Sequence, residues 1–211
     1  MTIDILWNGP PTAALTIVLA HGAGAPMDSP FMNDMAERLS ALGHRVARFE
    51  FPYMAKRRID GKKRPPDRAP VLIDTYRAVI QHIGTPEKLV IGGKSMGGRI
   101  ASMIADDENV KALLCLGYPF HPTGKPEKLR VAHLQTLKTP ALMCHGTRDP
   151  FGSPDEIATY ALSPAISMHW AEDGNHDFTP RKASGRNTAQ NLLDCGLAIH
   201  AFLQNPALSR T

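Results

Sequence analysis

The stretch that decides the fold is Gly93-Lys94-Ser95-Met96-Gly97, in which a serine has a glycine two residues away on each side. Apolar residues at 88–93 predict a strand before the serine, and a helix is predicted from there to about residue 106. A serine on such a sharp strand-to-helix turn is exposed in a strained conformation, and glycines at these two positions avoid steric collisions. The pattern therefore predicts a nucleophilic serine at a helix N-terminus, where the Met96 amide faces a developing negative charge.

A nucleotide-binding interpretation of the same stretch is excluded by its spacing. A phosphate-binding loop requires a glycine five residues before Gly93, and Lys88 occupies that position. The dinucleotide pattern G-x-G-x-x-G also fails, because Lys94 stands two residues after Gly92.

Predicted strands alternate with predicted helices along most of the chain. The strands are apolar throughout, which is typical of a parallel sheet covered by helices on both faces. Functional groups of such sheets lie in the loops at the carboxyl ends of the strands. We expect one domain over residues 1–211, an α/β three-layer sandwich with a mostly parallel sheet and no large lid domain. Its strands are predicted at residues 15–20, 44–51, 88–93, 110–117, 141–145 and 165–170, and a long mobile loop at residues 53–70.

A serine is a weak nucleophile unless a base, itself oriented by a carboxylate, removes its proton. On this kind of sheet the acid and then the histidine follow the serine along the chain. His176 lies on a loop after the last predicted strand, and Asp149 lies in the loop after the strand at 141–145. We therefore expect Ser95, Asp149 and His176 to form a catalytic triad. Less suitable candidates are His145, His169 and His200 as bases, Asp155 and Glu156 at the start of a short helix as acids, and Asp177 beside His176.

A second oxyanion donor, besides the Met96 amide, is expected from the small residues His21-Gly22-Ala23-Gly24-Ala25 after the first predicted strand. Ala23 is the expected donor and Gly24 the alternative. Gly24 and His121 are also candidates for lining the substrate pocket, although His121 fits better as a loop histidine without a catalytic task.

Five motifs together resemble a family of small dienelactone-hydrolase-like proteins, which includes a testis-expressed eukaryotic protein and a subunit of a chromatin acetyltransferase complex. The likeness extends from about residue 15 to the last helix. It implies the α/β-hydrolase fold and a hydrolase-type triad on Ser95, Asp149 and His176. Dienelactone hydrolases proper often use a cysteine nucleophile, so the serine here argues against dienelactone itself as the substrate. The motifs are residues 21–25, Gly93-Lys94-Ser95-Met96-Gly97-Gly98-Arg99, Gly117-Tyr118-Pro119-Phe120-His121-Pro122, His145-Gly146-Thr147-Arg148-Asp149 and Gly174-Asn175-His176-Asp177.

The charge distribution argues against a nucleic-acid partner. The net charge is +4, but residues 53–70 contain seven basic and two acidic residues, and the rest of the chain contains 17 basic and 18 acidic ones. This segment either is a solvated mobile loop or attracts acidic substrates. The second hypothesis predicts that the rate of hydrolysis depends on salt, and unchanged rates after neutralising four residues would rule it out: Arg57, Arg58, Lys62 and Lys63.

The composition is that of an ordinary soluble protein, and hydrolysis by a serine triad requires no cofactor. Three cysteines in apolar stretches, Cys115, Cys144 and Cys195, predict buried free thiols. Residues 1–11 show no export signal and the longest nearly apolar run spans only eight residues, so we expect a cytoplasmic protein without a membrane partner. No metal is expected, because metal-ligand spacing of cysteine or histidine is absent from the sequence.

The expected reaction is hydrolysis of a small-molecule ester or thioester through an acyl-enzyme intermediate, as in a carboxylesterase or thioesterase. The alternative is a non-catalytic interaction protein built on the same scaffold, because a fold does not determine a function.

Overall fold

A seven-stranded sheet forms the centre of the protein in a computed structural model that describes residues 3–206 and residue 208. The strands are β1 Ile5–Asn8, β2 Thr16–Ala20, β3 Arg45–Phe49, β4 Leu89–Lys94, β5 Ala112–Leu116, β6 Ala141–Gly146 and β7 Ile166–Ala171. Their order in the sheet is β1-β3-β2-β4-β5-β6-β7. Strands β2 to β7 are parallel to one another, and β1 pairs with β3 in the antiparallel sense.

The apolar strands are covered on both faces, as a parallel sheet requires. Alternate residues of β2 illustrate this, because successive side chains of a strand point to opposite faces. The helices are α1 Pro30–Ala41, α2 Pro52–Asp60, α3 Ala69–Ile83, α4 Met96–Ser102, α5 Pro154–Ile157 and α6 Thr188–Leu203. Val18 and Ala20 belong to one hydrophobic cluster with residues of α2, α3 and α4, while Ile17 and Leu19 belong to a second cluster with residues of α1 and α6.

The three-layer α/β sandwich predicted from the sequence is confirmed, and the six predicted strands lie within a few residues of β2 to β7. Helix α4 ends at Ser102, a few residues earlier than expected. The described residues contain no separate lid domain, since they are accounted for by the sheet, the covering helices and their connections.

The prediction of a loop at residues 53–70 is wrong in its first half. Helix α2 occupies Pro52–Asp60 and ends at Gly61, which has a φ of 70°. Proline is well suited to the first turn of a helix, and Tyr53 and Met54 are buried against the sheet. Only two apolar residues anchor this helix, so the basic residues that follow them hide its periodicity in the sequence.

The three cysteines are free and buried, as predicted. Within residues 3–206 and 208, no helix has both the length and the apolar character needed to cross a bilayer.

Candidate active site

Ser95 lies between the end of β4 and the start of α4, in a conformation that few non-glycine residues adopt. Its φ is 50° and its ψ is −112°, and backbone strain of this kind costs on the order of 1–3 kcal/mol. Two main-chain hydrogen bonds hold the turn. The Ser95 amide donates to the carbonyl of Leu116 at 2.9 Å, and the Arg99 amide donates to the Ser95 carbonyl at 3.0 Å. The surrounding sheet and helix therefore impose the strained turn.

Both glycines of the serine motif are required by close contact with the neighbouring strand β2. A Cβ atom on Gly93 would lie 2.2 Å from the Ala20 carbonyl oxygen, and one on Gly97 would lie 2.4 Å from the same oxygen. The predicted steric reason for the glycines is confirmed, and the structure identifies the β2 backbone as the group that a side chain would meet.

Asp149 and His176 are hydrogen-bonded to each other. The Nδ1 atom of His176 lies 2.7 Å from Oδ2 of Asp149. Asp149 is 3% exposed, and the other oxygen of its carboxylate accepts a hydrogen bond from the Phe151 amide at 3.0 Å. Because a carboxylate accepts, the shared proton is assigned to Nδ1, which leaves Nε2 of His176 as the basic nitrogen.

The environment of Asp149 keeps the carboxylate ionised. Burial alone would raise its pKa, but the hydrogen bond from His176, the nearby His145 ring and the Phe151 amide outweigh burial and hold the pKa below its ordinary value. A negatively charged Asp149 can therefore stabilise the imidazolium that forms when His176 accepts a proton.

Main-chain and side-chain contacts join the His176 segment to the serine turn. Leu116, which accepts the Ser95 amide, is followed by Gly117, and a Cβ on Gly117 would lie 3.2 Å from both Cε1 and Nδ1 of His176. Lys94, the residue before Ser95, donates from Nζ to the His176 carbonyl at 2.7 Å. The carboxyl ends of β4, β6 and β7 thus bring Ser95, Asp149 and His176 to one edge of the sheet.

Sequence reasoning assigned no role to two neighbours of the imidazole. The Phe151 ring lies 4.5 Å from the His176 ring, centre to centre. Gly117 lies directly against the imidazole and has a φ of 70°. A glycine immediately after an apolar strand is a signal that could have identified Gly117, whereas nothing in the local sequence marks Phe151.

His145 is a buried structural residue, as expected. Its side chain is 0% exposed, and Nε2 donates to the Gly152 carbonyl at 2.9 Å while lying 3.6 Å from Oδ2 of Asp149. Burial lowers its pKa despite the nearby carboxylate, so the ring is neutral at neutral pH.

The remaining candidate bases and acids have positions or partners of their own. His200 bonds to His44 at 3.0 Å, and His169 lies within β7. Asp177 pairs with Lys94 at 3.2 Å. Asp155 and Glu156 lie on α5, where Glu156 completes a capping box with Ser153.

The loop expected to supply the second oxyanion donor lies beside the serine. A Cβ on Gly22 would be 3.8 Å from Cβ of Ser95, and Ala23 and Gly24 are exposed to solvent. Met96 is the first residue of α4, and the first amides of a helix have no partner within the helix. The start of α4 and the loop at Gly22 therefore both lie beside Ser95, and donation from Met96 and from Ala23 or Gly24 to an oxyanion stays a prediction.

Hydrogen bonds fix the orientation of this loop from the side of α2. His21 donates from Nδ1 to the Gly22 carbonyl at 2.7 Å, and the Tyr53 hydroxyl donates to the Ala23 carbonyl at 2.9 Å. The carbonyl of one residue and the amide of the next belong to one planar trans peptide and point in opposite directions. These bonds therefore direct the amides of Ala23 and Gly24 away from His21 and Tyr53. The role of Tyr53 was not predicted, because α2 was expected to be a loop.

His121, a candidate for lining the substrate pocket, is buried rather than open to solvent. Its side chain is 4% exposed and its Nε2 lies 3.6 Å from Glu156, while Nδ1 donates to the Pro122 carbonyl at 2.9 Å. Gly24, in contrast, is exposed at the rim of the site. Contact between either residue and a substrate stays a prediction.

The basic segment 53–70 is partly neutralised by ion pairs. Arg58 pairs with Asp28 at 2.8 Å and with Glu50 at 2.6 Å, and Arg64 pairs with Asp60. Arg57 donates to the Gly24 carbonyl at 3.2 Å. One guanidinium therefore lies at the loop of residues 21–25, which was expected to supply the second oxyanion donor and is called the oxyanion loop below. Over the described part of the chain, no cluster of three or more histidine, cysteine, aspartate or glutamate side chains could hold a metal ion.

Comparisons with known proteins agree with this architecture. A family model described as an alpha/beta hydrolase domain matches residues 13–204. The structure is similar to an alpha-beta serine hydrolase homologue from Coxiella burnetii, with 17% identity, 94% of this chain and 90% of that chain covered, and a TM-score of 0.71. It is also similar to a serine hydrolase without a lid from Xanthomonas campestris (17% identity, 96% and 88% covered, TM-score 0.69) and to a dienelactone hydrolase from Anabaena variabilis (20% identity, 95% and 90% covered, TM-score 0.71).

Proposed function

The chain belongs to the alpha/beta hydrolase family, and from this premise we propose that it is a serine hydrolase that cleaves an ester or thioester through an acyl-enzyme intermediate. The observation that supports this most strongly is the 2.7 Å hydrogen bond between the buried carboxylate of Asp149 and Nδ1 of His176. This pair stands at the same edge of the sheet as Ser95, whose strained turn presents a hydroxyl at a helix N-terminus.

In the proposed acylation step, Oγ of Ser95 attacks the acyl carbon while Nε2 of His176 takes the hydroxyl proton. The acyl oxygen becomes negatively charged in the tetrahedral intermediate, and the amides of Met96 and Ala23, with Gly24 as the alternative, stabilise it. The intermediate collapses by breaking the bond to the leaving group, which receives the proton from Nε2 of His176 and departs as an alcohol or thiol. Asp149 orients the imidazole and stabilises its charged form throughout.

In the proposed deacylation step, a water molecule attacks the acyl group on Ser95 and gives a proton to His176. The second tetrahedral intermediate releases a carboxylic acid, and the proton returns from His176 to Oγ of Ser95. The reaction consumes one water molecule and needs no cofactor.

The exposed, small residues of the oxyanion loop support a small-molecule acyl substrate. Ala23, Gly24 and Ala25 are all exposed and Ser95 is partly exposed, which supports access of substrate to the serine from solvent. The five motifs shared with small dienelactone-hydrolase-like proteins support the same class of reaction, and Ser95 in place of cysteine favours ordinary esters over dienelactone.

Labelling with a fluorophosphonate tests the proposal, because this probe reacts with activated serines. The wild-type protein should be labelled at Ser95, as mapped by mass spectrometry, and should hydrolyse members of a series of acyl esters and thioesters of increasing chain length. Ser95→Ala should abolish both signals. Ser184→Ala is the matched control, because Ser184 is an exposed serine whose hydroxyl bonds only to main-chain groups, the Arg181 carbonyl and the Arg186 amide. A folded wild-type protein that neither labels nor hydrolyses any ester would instead favour a non-catalytic interaction protein.

A further inference from the structure

Lys94 has an unusual environment for a lysine. It is the last residue of β4, and its side chain is only 8% exposed. Burying an ammonium group is costly unless hydrogen bonds and opposite charge compensate. Nζ donates to the His176 carbonyl at 2.7 Å, lies 3.2 Å from Oδ1 of Asp177 and stands 5.1 Å from the centre of the Phe31 ring.

These contacts connect the nucleophile to the base. Lys94 is joined to Ser95 by a peptide bond, and its other end bonds to the main chain of His176. Strands β4 and β7 are not neighbours, because β5 and β6 lie between them in the sheet. A single side chain therefore spans from the serine turn to the histidine segment.

The same side chain also lies beside the oxyanion loop. A Cβ on Gly22 would lie 3.5 Å from Cγ of Lys94. The Phe31 ring beneath the ammonium packs against the Phe178 ring, 5.4 Å away, just after the histidine. The lysine thus lies against three of the segments that the proposed reaction uses: the serine turn, the oxyanion loop and the segment of His176.

An exposed ion pair does not account for this arrangement. The Asp177 side chain is 67% exposed, and ion pairs that solvent reaches contribute only about 0–1 kcal/mol. Burial lowers the pKa of Lys94 although Asp177 opposes the shift. The bond to the His176 carbonyl, donated by a buried cation, belongs to the stronger class of hydrogen bonds.

We propose that Lys94 is a positioning residue that holds the main chain of His176 at the correct distance from Ser95. It touches neither substrate nor reacting atoms, and it acts through the histidine segment. This inference rests on the proposed hydrolase function and goes beyond it by giving a task to the variable residue of the G-x-S-x-G motif.

The test is Lys94→Met, which keeps an unbranched side chain but removes Nζ. Lys88→Met is the matched control, because Lys88 is an exposed lysine immediately before the opposite end of β4. A misplacement of about 1 Å typically costs about 10²-fold in rate. We therefore expect Lys94→Met to lower kcat and the fluorophosphonate labelling rate by about 10–100-fold, with KM within about twofold of wild type, while Lys88→Met resembles wild type.

Chemical rescue separates positioning from a general effect on folding. Lys94→Ala should regain part of its kcat in the presence of n-propylammonium, which can donate to the His176 carbonyl, but not in tetramethylammonium, which has no N–H. Thermal unfolding, followed by circular dichroism, should remain cooperative in both Lys94 variants. Loss of activity in parallel with loss of the cooperative transition, without rescue, would assign Lys94 to stability and overturn the inference.

The remaining outcomes separate this inference from the proposed function. Equal labelling and turnover of wild type and Lys94→Met would overturn the positioning role alone. A wild-type protein that does not react with the probe would overturn the proposed function and the positioning role with it.

Discussion

Replacing Gly117 by alanine tests whether the position of the His176 ring matters for turnover. Gly117 has a φ of 70°, and an added Cβ would lie 3.1 Å from the His176 carbonyl oxygen and 3.2 Å from Cε1 and Nδ1 of its ring. Gly124 also has a φ of 70°, but its added Cβ would meet nothing within 4 Å. Gly124→Ala is therefore a control with the same backbone strain and without the contact.

The two variants should lose similar stability but differ in activity. A left-handed conformation costs an alanine roughly 1–2 kcal/mol, which lowers the melting temperature of a protein of this size by about 2–8 °C. In Gly117→Ala the ring must also move, and a shift of about 0.3–0.5 Å, at about 10²-fold per ångström, lowers kcat by roughly 4–10-fold. KM should change little, because substrate does not contact Gly117 in the proposed mechanism.

The assay is steady-state hydrolysis of the best ester from the chain-length series, with thermal unfolding measured on the same preparations. The assignment of His176 as the base would be refuted if the two variants had the same kcat while their melting temperatures fell by the same amount.

Three further predictions concern Asp149, the oxyanion loop and the basic residues of α2. Asp149→Asn should lower kcat by about 10⁴-fold in a folded protein. Because the folded pKa of Asp149 lies below its ordinary value of 3.8, its ionised form stabilises the protein above that value, and this stability is lost as pH falls through the folded pKa. The free energy of unfolding in urea, measured from about pH 2 to about pH 5, should therefore fall less steeply with decreasing pH for the variant than for wild type. Tyr53→Phe removes the hydroxyl bond to the Ala23 carbonyl and should lower kcat by about tenfold, less than the 10²–10³-fold typical of losing an oxyanion donor; unchanged kcat would show that the loop is oriented without it. Arg57→Met should lower kcat/KM about fivefold at low salt for an ester with an acidic acyl group, and it should leave kcat/KM unchanged at high salt. Lys63→Met should leave kcat/KM unchanged at both salt concentrations. Equal behaviour of the two variants would contradict electrostatic steering from α2.

The serine turn could be predicted from sequence because its requirements are local. The strand, the strained residue and the two glycines follow one another within residues 88–97, and each leaves a signature in composition. The proximity of Asp149 and His176 could be predicted because a parallel sheet brings the loops after its strands to one edge.

Contacts between distant segments could not be predicted in this way. The bond from Lys94 to the His176 carbonyl joins residues 82 positions apart, and nothing in the motif marks this lysine as buried. Helix α2 was missed because its anchor consists of Tyr53 and Met54 alone among basic residues. The antiparallel edge strand β1 pairs with β3 over only four residues, which is too short a segment for its pattern to be recognised.

A crystal structure of the protein after reaction with a fluorophosphonate would test the central claim most directly. The account predicts phosphorus bonded to Oγ of Ser95, the phosphonyl oxygen within hydrogen-bonding distance of the Met96 amide and of the Ala23 or Gly24 amide, and Nε2 of His176 facing Oγ of Ser95. An adduct whose phosphonyl oxygen points away from these amides, or whose imidazole at His176 faces away from the serine, would contradict it.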